Sequence, residues 1–407
     1  MPSTLPDGEP APRDGALPPE ALAELPDRPF GIYVHVPFCA VRCGYCDFNT
    51  YTPHELGARP GASLATYAHA AVEEIRLARR VLGDREVVVD TVFFGGGTPT
   101  MLPAADLVSV LAVIGAEFGL TPGAEVTTEA NPDSVTAEDL EVLRRGGINR
   151  ISFGMQSAEP SVLAVLDRTH DPLRVPQVVA CARWAGFDQV SLDLIYGTPG
   201  ESRQAWRHSV ESAVALEPDH VSAYALIVEE GTALARHIAR GEVDAPDDDD
   251  QADKYELVDD LLTASGYRWY EVSNWARDDK AVSSHNLGYW RGDNWWGVGP
   301  GAHSHVGGVR WWNVKHPTAY AQRLISKQSP AAARELLTSP TRRVERVMLE
   351  IRLAGGLPLD VLDEAGRTAV PGLVERGLLR HDDGADRLIL TRRGRLLVDP
   401  VVHALLP

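Results

Sequence analysis

Along this chain short apolar runs alternate with longer segments in which apolar residues recur at helical spacing. The runs predict strands at 30–36, 90–94, 124–129, 150–154, 189–196 and 220–227. Between them lie helical patterns near 64–81, 104–118, 137–145, 161–166, 173–185 and 203–216; the last carries Ala205, Trp206, Val210, Ala213 and Val214 on one face. Six β/α units in succession predict a parallel sheet, and right-handed crossovers curl such a sheet toward a barrel. The expected fold class is α/β, a partial (β/α)6 TIM-like barrel.

Four regions follow from the same pattern. Residues 1–28 are rich in Pro, Gly and acids without periodicity and read as a disordered lead. Residues 29–230 hold the barrel, 231–339 a Trp-rich α+β extension, and 340–407 a winged-helix-like module. At the start of the extension Glu242 to Asp250 reads as a solvated acidic loop. A helix over 252–265 and a strand over Tyr267–Ser273 follow. The tail shows helices over Arg342–Leu353, Leu359–Ala365 and Val370–Arg376, then a hairpin from Leu379–Asp382 to Leu388–Leu390. That shape often binds DNA, with Arg380, Arg392, Arg393 and Arg395 as a phosphate footprint.

Charge weighs against the DNA reading. The 407 residues carry a formal charge of −18, which repels polyanions and anionic membranes, so no nucleic-acid partner is expected and the tail reads as an interaction or lid module. No basic segment followed by an apolar core opens the chain and no run of about 18 apolar residues interrupts it, which predicts a cytoplasmic protein. Four cysteines in that setting form no disulfide framework. Cys181, alone on a helical pattern, reads as a small core residue.

The other three cysteines, Cys39, Cys43 and Cys46, fall within eight residues as C-x3-C-x2-C directly after the first strand. Three thiolates on one loop can share a metal or a cluster, but are one short of a closed zinc site or a fully ligated iron–sulfur cluster. A [4Fe-4S] cluster so held keeps one iron open to the amine and carboxylate of a small molecule. A zinc site completed by His35 or His54 is the simpler alternative.

In a barrel of this kind chemistry sits at the C-terminal ends of strands. There the chain places Gly95-Gly96-Gly97-Thr98-Pro99, Glu129-Ala130-Asn131-Pro132, Gln156, and Asp193 ahead of Tyr196-Gly197-Thr198-Pro199-Gly200. The glycine run lacks a P-loop lysine and a dinucleotide spacing; alone it is a tight turn, and beside three cysteines it lets backbone approach a ligand closely. Seven of the nine tryptophans lie between 269 and 312, around His285-Asn286-Leu287-Gly288-Tyr289-Trp290, with His303 and His305 beyond in a Gly-rich loop. Such a set is core for a small second layer, or a grip on a flat macrocycle with imidazole on iron.

YVHVPFC and YCDF around the cysteines resemble the radical S-adenosylmethionine (SAM) superfamily. FFGGGTPT, TTEANP, RISFGMQS and SLDLIYGTPG resemble its anaerobic, oxygen-independent coproporphyrinogen III oxidase branch over about residues 30 to 400. The resemblance implies that Cys39, Cys43 and Cys46 ligate a [4Fe-4S] cluster whose open iron chelates SAM, and that one electron from it cleaves SAM to a 5'-deoxyadenosyl radical. It implies SAM contacts from Tyr33, Tyr45, Gly96, Gly97, Thr98, Glu129, Gln156, Arg168 and Asp193, with Glu129 on the amino group, Arg168 on the carboxylate and Asp193 on the ribose.

HNxxYW after such a barrel resembles the HemW-type heme chaperones, relatives of those oxidases, which implies His285 as heme-iron ligand, with His303 and His305 in reserve. Three functions are open. A heme chaperone would bind heme and pass it to an acceptor protein, membrane-associated partners included, and would need an electron donor for any radical step. An oxidase would decarboxylate coproporphyrinogen III propionates to give protoporphyrinogen IX. A radical SAM enzyme could instead act on RNA through the tail. The oxidases resemble C-x3-C-x2-C-x-C, where this chain has Phe48, and carry a longer structured N-terminal segment; with HNxxYW, both features favour the chaperone over the oxidase, while the radical machinery leaves SAM cleavage open.

Overall fold

The computed structural model describes residues 7–56, 63–382 and 384–406; residues 1–6 of the predicted lead lie outside them. The rest of that lead is docked, not open chain. Glu9–Pro10 forms β1, paired with Arg334 and Ala333 and tied by an Arg334–Glu9 ion pair at 2.6 Å. Helix Pro19–Ala23 and the turn after it bury Ala21, Leu22 and Leu25, while Glu24 receives two hydrogen bonds from Arg342 at 2.9 and 2.6 Å. Local composition misses this because the partners come from residues more than 300 positions away.

Six strands appear in the predicted order: β2 (Phe30–Val36), β3 (Val89–Gly96), β4 (Leu120–Ala130), β5 (Arg150–Gln156), β6 (Gln189–Tyr196) and β7 (His220–Ala225). Each pairs in parallel with the next. Alternation decides their two faces. Ile32, Val34, Val36, Val92 and Phe94 join the core under helices Leu64–Leu82 and Ala104–Phe118, whose Ile75, Leu82, Leu107 and Ile114 are buried there. Tyr33, His35, Phe93, Glu129, Ser152 and Asp193 line the opposite, concave face. Helix Ala137–Arg145 starts with a reciprocal Thr136–Asp139 capping box, a local reason for a sharp helix boundary.

The extension continues the same sheet at both edges. Antiparallel β8 (Arg268–Glu271) and β9 (Asn274–Ala276) follow β7. On the other side β10 (Asn294–Val298) pairs in parallel with β2, and β11 (His303–Val306), β12 (Val309–Asn313) and β13 (Ala331–Leu336) continue antiparallel to β1. Among the described residues this is one open sheet of 13 strands. The tryptophans do not build a separate second layer: Trp296 and Trp311 pack edge to face at 4.8 Å within the core shared with the barrel. His303 and His305, expected on a loop, stand on β11.

The acidic run is also a correction. Asp247 caps helix Asp248–Ala264, accepting from the Asp250 amide at 2.8 Å, and Asp248, Asp249 and Asp250 occupy the first turn, where the helix dipole favours carboxylates. Asp250 further bonds buried Lys254 at 2.6 Å. In the tail, helix Ser339–Glu350 precedes β14 (Leu357–Pro358), a 3-10 turn Leu359–Val361 and one helix, Glu364–Glu375. That helix merges what the sequence divides: it runs through Pro371, since a proline deletes one backbone donor and Leu373 is still buried. β15 (Leu379–Asp382) and β16 (Arg387–Leu390) form the hairpin, and β14 pairs with β16 as a third strand. The module has its own core of Val347, Ile351, Leu357, Leu373, Leu388 and Leu405. Two arginines of the supposed footprint are spent inside the protein: Arg392 and Arg395 bond Asp260 and Asp259 at 2.7 and 2.8 Å.

Candidate functional site

The cysteine loop leaves the C-terminal end of β2 and is closed on itself by Cys39 N–H to Tyr51 O (3.1 Å) and Tyr51 N–H to Pro37 O (2.7 Å). It is pinned from three sides. Tyr33 and the Asn49 carbonyl hold the two ring nitrogens of His35 at 2.9 and 3.0 Å, the Gly44 amide donates to Leu166 O, and the Leu234 amide donates to Gly44 O. His35 is thereby a positioning residue for the loop, and His54 lies on the short helix Pro53–Leu56. Thr98 Oγ1 lies 3.9 Å from Cys39 Sγ and Arg168 Nη1 3.6 Å from Cys43 Sγ.

Burial pushes the Cys46 thiol up to about 11 and raises that of Cys39. Bare, these two thiols are protonated at neutral pH; a positively charged centre is what would keep them as thiolates. Among the described residues no three His, Cys, Asp or Glu side chains converge as tightly as a single ion requires.

Beside the loop the glycine run passes close. A Cβ on Gly97 would stand 2.5 Å from Phe38 O, and Gly96 has φ of 108° with a Cβ position 2.6 Å from the His35 ring, so neither position accepts a side chain. Thr98 N–H donates to Phe38 O at 2.7 Å, locking the two strand ends together.

The concave face next to it carries two buried carboxylates. Glu129 accepts from the Gly96 amide at 3.2 Å; burial, then the charge of Asp193, push it up to about 8. Asp193 accepts from Ser152 at 2.8 Å and is raised by burial as well. Arg168, whose Nη2 donates to Gly154 O at 2.8 Å, keeps a buried Nε with no partner. Gln156 sits at φ of 61° on a bulge between β5 and β6. Tyr45 packs with Val228 and Ile238 over Leu226 and Leu234. The fold thus gathers the predicted residues of β2 to β6 at one end of one sheet.

His285 lies further down the same concave face, its ring 6.4 Å from that of Tyr33. Helix Ser284–Arg291, whose N-terminal amides at 284 and 285 donate to Glu125 at 2.9 and 3.0 Å, closes the foot of the barrel. The imidazole is 3% exposed, stacked on Phe93 at 5.1 Å, with Nδ1 on Thr91 and Nε2 on Tyr289, both at 2.8 Å. Burial pushes its pKa down to about 3. A small cavity beside it is lined by Gly31, Thr91, Gly288, Tyr289 and Trp295.

Three residues of this concave face escaped the sequence reading. Ser152 supports Asp193, and Arg150 and Glu125, 3.9 Å apart, hold the floor, with Arg150 donating to Ala281 O at 2.8 Å. The available signal was a polar residue at the inward positions of otherwise apolar strands.

A parallel α/β sheet with three cysteines on its first loop and carboxylates at its strand ends defines a radical SAM protein, and residues 33–213 match the Radical SAM superfamily. The chain is 51% identical to the heme chaperone HemW of Mycobacterium tuberculosis, over 95% of this chain and 97% of that one. It is 33% identical to the heme chaperone HemW of Bacillus subtilis, over 92% and 98% of the two chains. Coproporphyrinogen III oxidase (HemN) from Escherichia coli, a radical SAM enzyme, superposes with a TM-score of 0.80 at 25% identity, covering 95% of this chain and 92% of that one. The chain belongs to the HemW heme chaperone family. Radical SAM membership implies a [4Fe-4S] cluster and SAM, and the donor set fits both: three thiols, a side-chain-free glycine approach, and two buried carboxylates, Glu129 and Asp193, at the strand ends.

Proposed function

We propose that this protein is a heme chaperone: it binds heme and transfers it to an acceptor protein, and carries a [4Fe-4S] cluster and SAM. The observation that supports this most directly is the HNxxYW segment, set as a helix in the concave face of a radical SAM sheet in a chain 51% identical to a heme chaperone. Cys39, Cys43 and Cys46 would hold the cluster, which when bound supplies one electron to SAM.

The remaining roles belong to side chains of this chain. Glu129 would take the SAM amino group, a cation that relieves its repulsion with Asp193. Arg168 would receive the carboxylate through its fork, and Asp193, fixed by Ser152, would accept from ribose hydroxyls. Gly96, Gly97 and Thr98 would give backbone approach, Tyr33, Tyr45 and Gln156 the walls. His285 would ligate heme iron after its Nε2 exchanges the Tyr289 hydroxyl for the metal.

The test is anaerobic, on cluster-reconstituted protein. Hemin is added and the Soret band followed; in parallel coproporphyrinogen III, SAM and reductant are supplied. Stoichiometric heme uptake without decarboxylation is expected, and His285→Ala should weaken uptake while the iron–sulfur absorbance stays. Protoporphyrinogen as product would overturn the chaperone reading in favour of an oxidase.

A further inference from the structure

The rings around His285 do not stop at the barrel. Tyr289 meets Trp295 edge to face at 4.8 Å, and Trp295 meets His305 at 5.2 Å. Register explains the continuity. Trp295 pairs with Gly31 of β2 and with His305 of β11, and His305 and His303 pair with Arg310 and Trp312 of β12. Residues at paired positions share a face of the sheet. The concave face therefore runs from Tyr33 across β10 and β11 to Trp312 as one wall.

Three imidazoles on this wall differ in what they can do. His285 is 3% exposed and both its nitrogens are engaged. His305 is 8% exposed and its Nδ1 bonds the Asp293 carbonyl at 2.9 Å. His303 is exposed, is stacked on Trp312 at 5.9 Å and 29°, and among the described residues its ring nitrogens make no hydrogen bond within the protein. A fixed aromatic backing with open ring nitrogens is what an axial ligand of a porphyrin needs.

We propose that His303, backed by Trp312, is a second heme-iron ligand that forms an exposed outer station on the wall, separate from the buried His285. This rests on the heme-chaperone reading. Partial burial, then the positive groups of Arg310 and Lys315, hold the His303 imidazole below its usual range, so at pH 7 it is the neutral form that ligates iron without releasing a proton. Arg310 is itself paired with Glu335 at 2.7 Å and Glu345 at 3.1 Å. Exposure suits cargo that must leave: an acceptor can reach iron on His303, whereas iron on His285 would first require the foot helix to open.

Stopped-flow hemin binding to the full-length, cluster-loaded protein tests this, with wild type, His303→Ala, His303→Gln, His285→Ala and the double alanine variant compared. The expected result is an early Soret phase with the high-spin signature of ferric heme on one imidazole in wild type and His285→Ala. In both His303 variants that phase is lost, overall binding falls about tenfold or more, and added imidazole at low concentration restores the imidazole-ligated Soret band. An early phase unchanged in His303→Ala overturns the proposal. So does its loss in His285→Ala and His303→Ala alike, which would mean one shared site. Wild type showing no saturable Soret change, with its cluster absorbance intact, overturns the heme-chaperone reading itself and the outer station with it; unimpaired hemin uptake by His303→Ala overturns the outer station alone.

Discussion

His285 and Tyr289, one helical turn apart, share a 2.8 Å hydrogen bond between imidazole Nε2 and the phenol hydroxyl. With Thr91 on Nδ1, this closes both nitrogens of the motif histidine. The motif's spacing sets the bond: positions i and i+4 of a helix face the same side. The tyrosine of HNxxYW is thus a stopper for its histidine as much as a wall for a macrocycle.

Tyr289→Phe removes the stopper and keeps the ring. In a His303→Ala background, where uptake depends on His285, it should speed hemin binding several-fold, at a stability loss of about 1 kcal/mol from the missing hydrogen bond. Stopped-flow at the Soret band reads the rate. A slower rate would mean that the hydroxyl contributes to the heme site.

Cys43→Ala should abolish the cluster while leaving the fold intact, since the Cys43 side chain is only half-buried on a loop held by backbone hydrogen bonds from its neighbours. Iron and sulfide analysis with circular dichroism checks it. Full iron and sulfide content in the variant would remove Cys43 from the ligand set.

Glu129 makes stability depend on pH. Its folded-state pKa of about 8 lies above the ordinary 4.5, so between these values the folded state holds a proton that the unfolded chain has released. Without SAM, stability should therefore fall as pH rises from about 4.5 to 8. Glu129→Gln removes that contribution and should gain at least about 1 kcal/mol over wild type at pH 8, while SAM binding weakens. Denaturant melts at pH 5 and pH 8 supply the comparison; parallel curves for the two proteins would contradict the assignment.

Arg395 fastens the tail. Its guanidinium donates to both Asp259 oxygens at 3.1 and 2.8 Å and lies 4.5 Å from the centre of the Trp269 ring. Arg395→Ala leaves Asp259 with only the longer Arg392 pair at 3.5 Å and the Trp275 hydrogen bond and should cost about 2 kcal/mol, with loosening of the tail module. Urea unfolding and limited proteolysis measure it; an unchanged midpoint would show that the module is held mainly by apolar contacts.

The barrel was legible because each of its strands and helices reports its own period. Residues 30–36 and 189–196 bury apolar runs on a sheet covered by helices, and the 104–118 pattern buries one stripe. The cysteine triplet and the glycine run were legible for a different reason, being short and rigidly spaced. The acidic run was misjudged because charge density reads alike in a loop and in the first turn of a capped helix. Residues 7–28 were misjudged because their partners, Arg334 and Arg342, adjoin them only in the folded chain.

By itself the sequence determined the β/α succession, the place of the three thiols after the first strand, and the family signature, since all of these are written in local spacing. Tertiary structure alone decided that β10 pairs in parallel with β2 and so carries the Trp-rich strands onto the barrel's concave face. It also decided which histidine is sealed and which is open. His285, inside the recognisable motif, faces Thr91 from 194 positions earlier; His303, in no motif that distinguished it, is exposed against Trp312. Burial and partner choice depend on which strands meet, and strand pairing between distant segments leaves no periodic trace in either one.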